Sequence, residues 1–357
     1  MNLNSDDLYP FRAAERLDFD IVDALLTHLP MLWNGSDGEH GAAPCAPTAV
    51  RDAWDALCSV GVGGLLVPAE YGGQGASLSR SLSVAWTLSR IPAPVPFLSS
   101  AVVAPLLCAA LSERELLSEI ATGDTVVAVA FGGRIDDGCD GGTTLHGEVD
   151  SVLHGSDAER WFVVASDGAE PTILAVDRPE STIRQYSQDV TRPLARARFD
   201  GMPARRLAVE TAPLVGEIVR RAHLVRCVEA LAAASIAVED DPASMASIAA
   251  AITAVRSTAA ATDLHGTCDS RQLDVACSRT AMVSRLVADT CGRGDQQDEL
   301  RASLCAIRAT GGSAWLPPEL CFDDEYRPFV QARQDTALTA AGGSGGERRA
   351  MRAPRTW

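Results

Sequence analysis

The residues best suited to chemistry sit late in the chain. Cys321-Phe322-Asp323-Asp324-Glu325-Tyr326-Arg327 places the carboxylates of Asp323, Asp324 and Glu325 side by side. Carboxylates serve enzymes as general acids and bases. The same run also suits a solvated face or the first turn of a final helix, where the helix dipole favours negative charge. Upstream, Arg308-Ala309-Thr310-Gly311-Gly312 joins a guanidinium to a glycine pair. Glycine lets a backbone come close to a phosphate, but paired glycines also terminate helices as C-caps. Two other constellations lead elsewhere. Gly342-Gly343-Ser344-Gly345-Gly346 spells GxSxG, yet a nucleophile elbow needs a strand before it and a helix after it, and this stretch reads as a flexible tail. Asp136, Asp137 and Asp140 around Gly138 lack the spacing and terminal Glu of a calcium loop and read as a solvated turn.

Composition removes whole classes of mechanism. The chain has 357 residues, and all 31 of its basic side chains are arginine. Without lysine there is no Schiff base, so pyridoxal phosphate chemistry is excluded, and there is no P-loop lysine for phosphates. A net charge of −16 argues against a nucleic-acid partner. The 10 cysteines form no CxxC pair and the 6 histidines no HExxH, so no metal is expected and the cysteines read as buried free thiols. No apolar run is long enough for a membrane span, and Met1 to Asp7 is acidic where a signal peptide would be basic. These features predict a cytoplasmic location without membrane attachment.

The elements that must position any site follow from periodicity. Apolar residues recur at helical spacing in Phe19–Leu29, Val50–Val60, Leu78–Ser89 and Ala101–Leu111. Pro68 and the glycines after it make the segment Leu65 to Gly75 a structured loop. From Thr125 the pattern changes to β-branched runs at Val126–Ala130, Trp161–Ala165, Thr172–Val176 and Ala195–Phe199. Helical spacing returns in Leu214–Val238, Met245–Ala261, Ala276–Thr290 and Leu300–Thr310, followed by a turn at Pro317-Pro318. The expected organisation is an N-terminal helical domain over 1–124, a central β domain over 125–208, a helical bundle over 209–340 and a Gly/Arg-rich tail over 341–357. The fold class is α+β, mainly α.

Four stretches in this order resemble the acyl-CoA dehydrogenase superfamily. Val60 to Gly75, containing Val67-Pro68-Ala69-Glu70-Tyr71-Gly72-Gly73-Gln74-Gly75, is similar to the family's VPEEYGGxG turn. Leu88-Ser89-Arg90-Ile91-Pro92-Ala93-Pro94-Val95-Pro96 resembles the LGRxxAPxP of short actinobacterial-type members. Val152–Ala165 resembles the strand pair around the family's Ala-Asp motif, and Thr191-Arg192-Pro193-Leu194-Ala195-Arg196-Ala197-Arg198-Phe199-Asp200 its closing strand.

The resemblance implies a helical domain, a small β-barrel and a C-terminal bundle. It also implies a flavin that takes a hydride while a glutamate removes the α-proton of an acyl thioester. The parts that hold the flavin are where the chain departs from the family. The TExxxGSD hydroxyls leaving the first strand are replaced by Val129-Ala130-Phe131-Gly132-Gly133-Arg134-Ile135-Asp136-Asp137. The RxQFG whose arginine meets the pyrophosphate has no counterpart. Of the QxxGG at the adenosine end, Gly311 and Gly312 remain, with Arg308 in place of glutamine.

No glutamate matches the family's base. The acidic run at Asp323, Asp324 and Glu325 follows the Gly-Gly segment where the family's chain borders the active site, which makes it the candidate for acid/base work. FAD is therefore expected to be shared with a partner subunit, in a homo- or hetero-oligomer acting on a CoA- or carrier-bound acyl thioester, or to have been lost. The alternatives are a flavin-independent enzyme of specialised metabolism, performing cyclisation or dehydration in the vacated pocket, and a non-catalytic structural subunit.

Overall fold

The computed structural model describes residues 47–90, 94–137, 142–166, 171–185, 192–207, 211–238 and 241–291. The helices expected at Phe19–Leu29 and Leu300–Thr310, the Pro317-Pro318 turn and the tail from Ala341 lie outside these residues. Among the described residues four helices precede the strands: α1 (Pro47–Ser59), α2 (Leu78–Arg90), α3 (Ala104–Ala110) and α4 (Arg114–Thr122). Between α1 and α2 the expected loop folds back on itself through a 3-10 turn at Ala69–Tyr71. Its backbone closes with Gln74 N–H donating to Gly64 O at 2.9 Å and Ala76 N–H to Leu65 O at 2.9 Å. Gly73 is required here, since a Cβ at that position would lie 2.1 Å from the carbonyl oxygen of Val67.

The helix expected at Ala101–Leu111 starts earlier and differently. Phe97–Val103 is a π-helical turn, every residue of it buried, which runs into α3. The Ala104 N–H donates to Ser99 O, an i to i−5 bond. Ser100 explains why this turn stays in place. Its hydroxyl accepts from Val127 N–H at 2.9 Å and bonds Val127 O at 3.3 Å, pinning the turn to the first strand.

Six strands follow, β1 (Val127–Asp137), β2 (Thr143–Leu153), β3 (Arg160–Ser166), β4 (Pro171–Asp177), β5 (Ser181–Gln185) and β6 (Leu194–Arg206). They lie in the order β2-β1-β3-β4-β6-β5, and an added β2–β6 pairing closes the first five into a barrel with β5 on its flank. The β1–β3 pair is parallel and the others are antiparallel. Closure needs β1 to change partners midway. Val127–Phe131 pairs with β3 and Arg134–Asp137 with β2, and the change falls on Gly132 and Gly133, at φ +123° and +89°. Such angles are open to glycine and strained for other residues. Asp136 and Asp137, expected in a turn, instead end β1 opposite Thr144 and Thr143.

Three long helices complete the described chain: α5 (Thr211–Ala237), α6 (Pro242–His265) and α7 (Ser270–Cys291). The α5 helix packs on α2, α6 and α7 and is buried on most of its circumference. Its buried Glu217 accepts from Arg220 at 3.1 Å, Arg221 at 2.6 Å and the Cys268 N–H at 3.1 Å. Asp263 of α6 caps a different helix: its carboxylate accepts from Leu78 N–H at 2.7 Å and from Ser79 N–H at 3.1 Å at the start of α2. That contact crosses the chain and ties the first helical layer to the last. Asp263→Ala leaves two helix-terminal N–H groups unpaired and is expected to cost about 1–3 kcal/mol in urea unfolding, with Asp263→Asn recovering part of it. A change within about 0.3 kcal/mol would show the cap to be energetically idle.

Candidate functional site

Three unusual features converge where α2, the π-helical turn, the end of β2 and α5 meet. They surround a cavity of about 40 Å³ lined by Leu88, Phe97, Leu98, His154, Arg192 and Glu229, among others. A space of this size holds a water molecule or two. π-Helical turns, left-handed non-glycine residues and buried ion pairs each carry an energetic cost, and such features collect at functional sites.

His154 is the centre of the arrangement. It ends the β2 hairpin arm at φ +54° and is 2% exposed. The backbone over-determines that strained conformation: His154 N–H donates to Pro193 O at 2.8 Å, and its own carbonyl accepts from Asp157 N–H at 3.0 Å. Gly155 must follow, because a Cβ there would sit 2.9 Å from the Trp161 ring. The imidazole Nδ1 lies 3.5 Å from Asp157 Oδ2, an electrostatic contact too long for a good hydrogen bond. Both atoms are buried without a closer partner. Asp157 turns its other oxygen to Arg184, at 2.9 Å.

Burial holds the His154 imidazole below its usual value, outweighing the nearby carboxylate. Burial pushes Asp157 upward, but His154 and Arg184 more than reverse that and hold it below the usual carboxylate range. The site thus presents a neutral imidazole beside a charged carboxylate. Across the cavity Arg192, just before β6, forms an ion pair with Glu229 of α5, and both side chains are largely buried at 15% and 16% exposure. Trp161 is core, 1% exposed and edge-on to Phe199 at 6.3 Å between ring centres.

A second, larger groove of about 450 Å³ runs between α4 and the barrel. Its walls include Glu113, Glu119, Arg160, Asp177 and Arg205. Those charges answer one another: Arg205 meets Glu113 at 2.7 Å, Arg160 pairs with Asp177, and Glu119 accepts from Thr125 at 2.8 Å. The groove is a packing seam with a polar rim.

The residues singled out from sequence, Asp323, Asp324, Glu325, Arg308, Gly311 and Gly312, lie outside the described residues. Two of the places where the resemblance implies flavin contacts are described. At the β1 bulge, no side-chain hydroxyl stands between Thr125 and Thr143, and the Thr125 hydroxyl is committed to Glu119. At the junction of α5 and α6 the chain reads Val238-Glu239-Asp240-Asp241, and Asp241 caps α6 by accepting from Ala243 N–H at 3.1 Å. The sequence there offers carboxylates and no arginine, the side chain that the resemblance implies for a pyrophosphate between two bundle helices. The donor set at these two places does not fit a flavin dinucleotide.

Sequence reasoning did not select His154, Asp157, Arg192 or Glu229 as functional. Arg192 was visible only as part of a closing-strand motif, and a lone histidine carries no spacing signal. Among the described residues no three His, Cys, Asp or Glu side chains are grouped to hold a metal, and no helix is long and apolar enough to cross a membrane.

The buried histidines make stability pH-dependent. Burial, aided by the charge of Arg226, lowers His223 on α5 to about 3, whereas the unfolded side chain titrates near ~6.5. Below that value the unfolded chain takes up the proton that the folded chain refuses, so stability present above pH ~6.5 is lost on acidification. Between pH 7 and 5 His223 alone is expected to remove about 2 kcal/mol. Urea titrations across that window should show a shallower slope for His223→Gln, and an unchanged slope would refute the assignment.

Comparison with known proteins gives the frame for this geometry. A family model for the acyl-CoA dehydrogenase N-terminal domain matches residues 39–131. No curated protein sequence matches the chain. Among solved structures, glutaryl-CoA dehydrogenase from Mycobacterium smegmatis is similar at a TM-score of 0.69 and 14% identity, covering 97% of this chain and 100% of that one. The ChsE4–ChsE5 complex from Mycobacterium tuberculosis is similar at a TM-score of 0.61 and 15% identity, over 94% of this chain and 100% of that one. An acyl-CoA dehydrogenase from Bacillus anthracis, complexed with FAD, is similar at a TM-score of 0.66 and 14% identity, over 95% of this chain and 68% of that one. The family model matches the first helices, and the barrel and bundle are arranged as in these structures, so the chain has the fold of the acyl-CoA dehydrogenases.

Proposed function

We propose that the chain is the flavin-poor subunit of a two-subunit acyl-CoA dehydrogenase-type assembly acting on an acyl thioester, in which a partner chain supplies the base and the main flavin anchors. The observation that carries this is uneven retention. The barrel, its glycine bulge and the helices around α5 are intact, while the sequence at two places where the resemblance implies flavin contacts offers no matching donors. The acidic Glu239-Asp240-Asp241 junction repels a diphosphate, so the cofactor's phosphates must be neutralised by another chain. Two-chain assemblies among the similar structures, such as the ChsE4–ChsE5 complex, support the reading.

A flavin-independent enzyme working in a vacated cleft is less well supported. The junction of α2, the barrel and α5 is filled by Leu88, Phe97, Leu98 and Leu153 down to about 40 Å³, whereas small-molecule sites occupy several hundred (~300–1,000 Å³).

The test is co-purification. The chain is produced alone and together with a candidate acyl-CoA dehydrogenase-type partner subunit. The proposal predicts a colourless chain alone, and a yellow complex with one flavin per pair of chains that oxidises an acyl thioester. Stoichiometric flavin on the chain alone, or failure of the two chains to associate, would overturn it.

A further inference from the structure

Two thiols outside the candidate site touch. Cys227 on α5 and Cys277 on α7 are hydrogen-bonded sulfur to sulfur at 3.6 Å, although they lie 50 residues apart in the chain. Cys227 is buried, at 6% exposure, and Cys277 is partly exposed, so the pair spans the wall between core and surface. Elsewhere Cys58, Cys108 and Cys268 are buried free thiols.

We propose that Cys227 and Cys277 are a modification site, oxidised by a peroxide to a reversible disulfide that staples α5 to α7. A disulfide needs its sulfurs about 2.05 Å apart, so the two must close by roughly 1.5 Å, a side-chain rotation on helices that already pack together.

The chemistry balances. The thiolate attacks the peroxide, an S–O bond forms as the O–O bond breaks, and water leaves once a proton is taken up. The sulfenic acid is then attacked by the second thiol: the S–S bond forms, the S–O bond breaks and a second water departs. Two thiols lose two electrons and the peroxide gains them. The hydrogen bond joining the two sulfurs stabilises a thiolate on one of them through the S–H of the other, and that thiolate makes the first attack. By contrast, burial pushes Cys58 up to about 12, which leaves it unreactive. Cys227 lies two residues before Glu229, so the staple acts on the helix that pairs with Arg192 at the candidate site.

The test uses the full chain treated with a few equivalents of hydrogen peroxide. Intact mass spectrometry should show the loss of two hydrogens, and a non-reducing digest should yield one cross-linked peptide joining Cys227 to Cys277, reversed by a dithiol. The oxidised protein should unfold at a higher temperature than the reduced one. Cys227→Ala and Cys277→Ala should each abolish both effects; circular dichroism confirms that they fold, and the wild-type cross-link map decides the matter if either does not. Oxidation of Cys277 to a sulfinic acid without a cross-link, or a cross-link between other cysteines, would overturn the proposal.

Discussion

A 27-residue helix, α5, is buried along most of its surface yet carries Glu217, Arg220, Arg221, Arg226 and Glu229. Charges taken out of water are tolerated only when paired, and the rest of the fold is arranged to meet that demand. Glu217 is held by Arg220, Arg221 and the Cys268 backbone, which fixes how α7 begins relative to α5. Glu229 is held by Arg192, which fixes the barrel against the same helix. Asp263 then fastens α6 to the start of α2. These contacts span long sequence separations, so they specify how the layers assemble beyond what apolar burial alone would do.

Much of this architecture was legible in the sequence. The apolar spacing of Val50–Val60, Leu78–Ser89 and Leu214–Val238 agrees closely with α1, α2 and α5, because long amphipathic or fully buried helices carry the clearest periodicity. Of the strands, β2 and β5 were not picked out as separate elements. β2 is interrupted by Gly147 and carries charged residues on its outward face, and β5 is a short flanking strand of mostly polar residues. The α4 helix escaped notice because its nine residues sit between a longer apolar run and a strand. The π-helical turn could not be foreseen either, since its geometry comes from Ser100 gripping Val127 across 27 residues.

The candidate site was less legible than the fold for a physical reason. His154, Asp157, Arg192 and Glu229 come from a hairpin end, the turn after it, a strand entry and a distant helix. Only closure of the barrel against α5 brings them around one cavity. What the sequence did display was a departure from the motifs that the resemblance implies for a flavin. In the structure the first of these stretches forms a glycine bulge that serves barrel closure, and Asp241, between α5 and α6, serves as an N-cap.

The proposed function requires that this chain alone cannot grip a flavin dinucleotide. Titration of the isolated chain into FAD, followed by flavin fluorescence and calorimetry, tests it most directly. No saturable binding is expected at micromolar protein. Stoichiometric, tight binding that persists in high salt would contradict it.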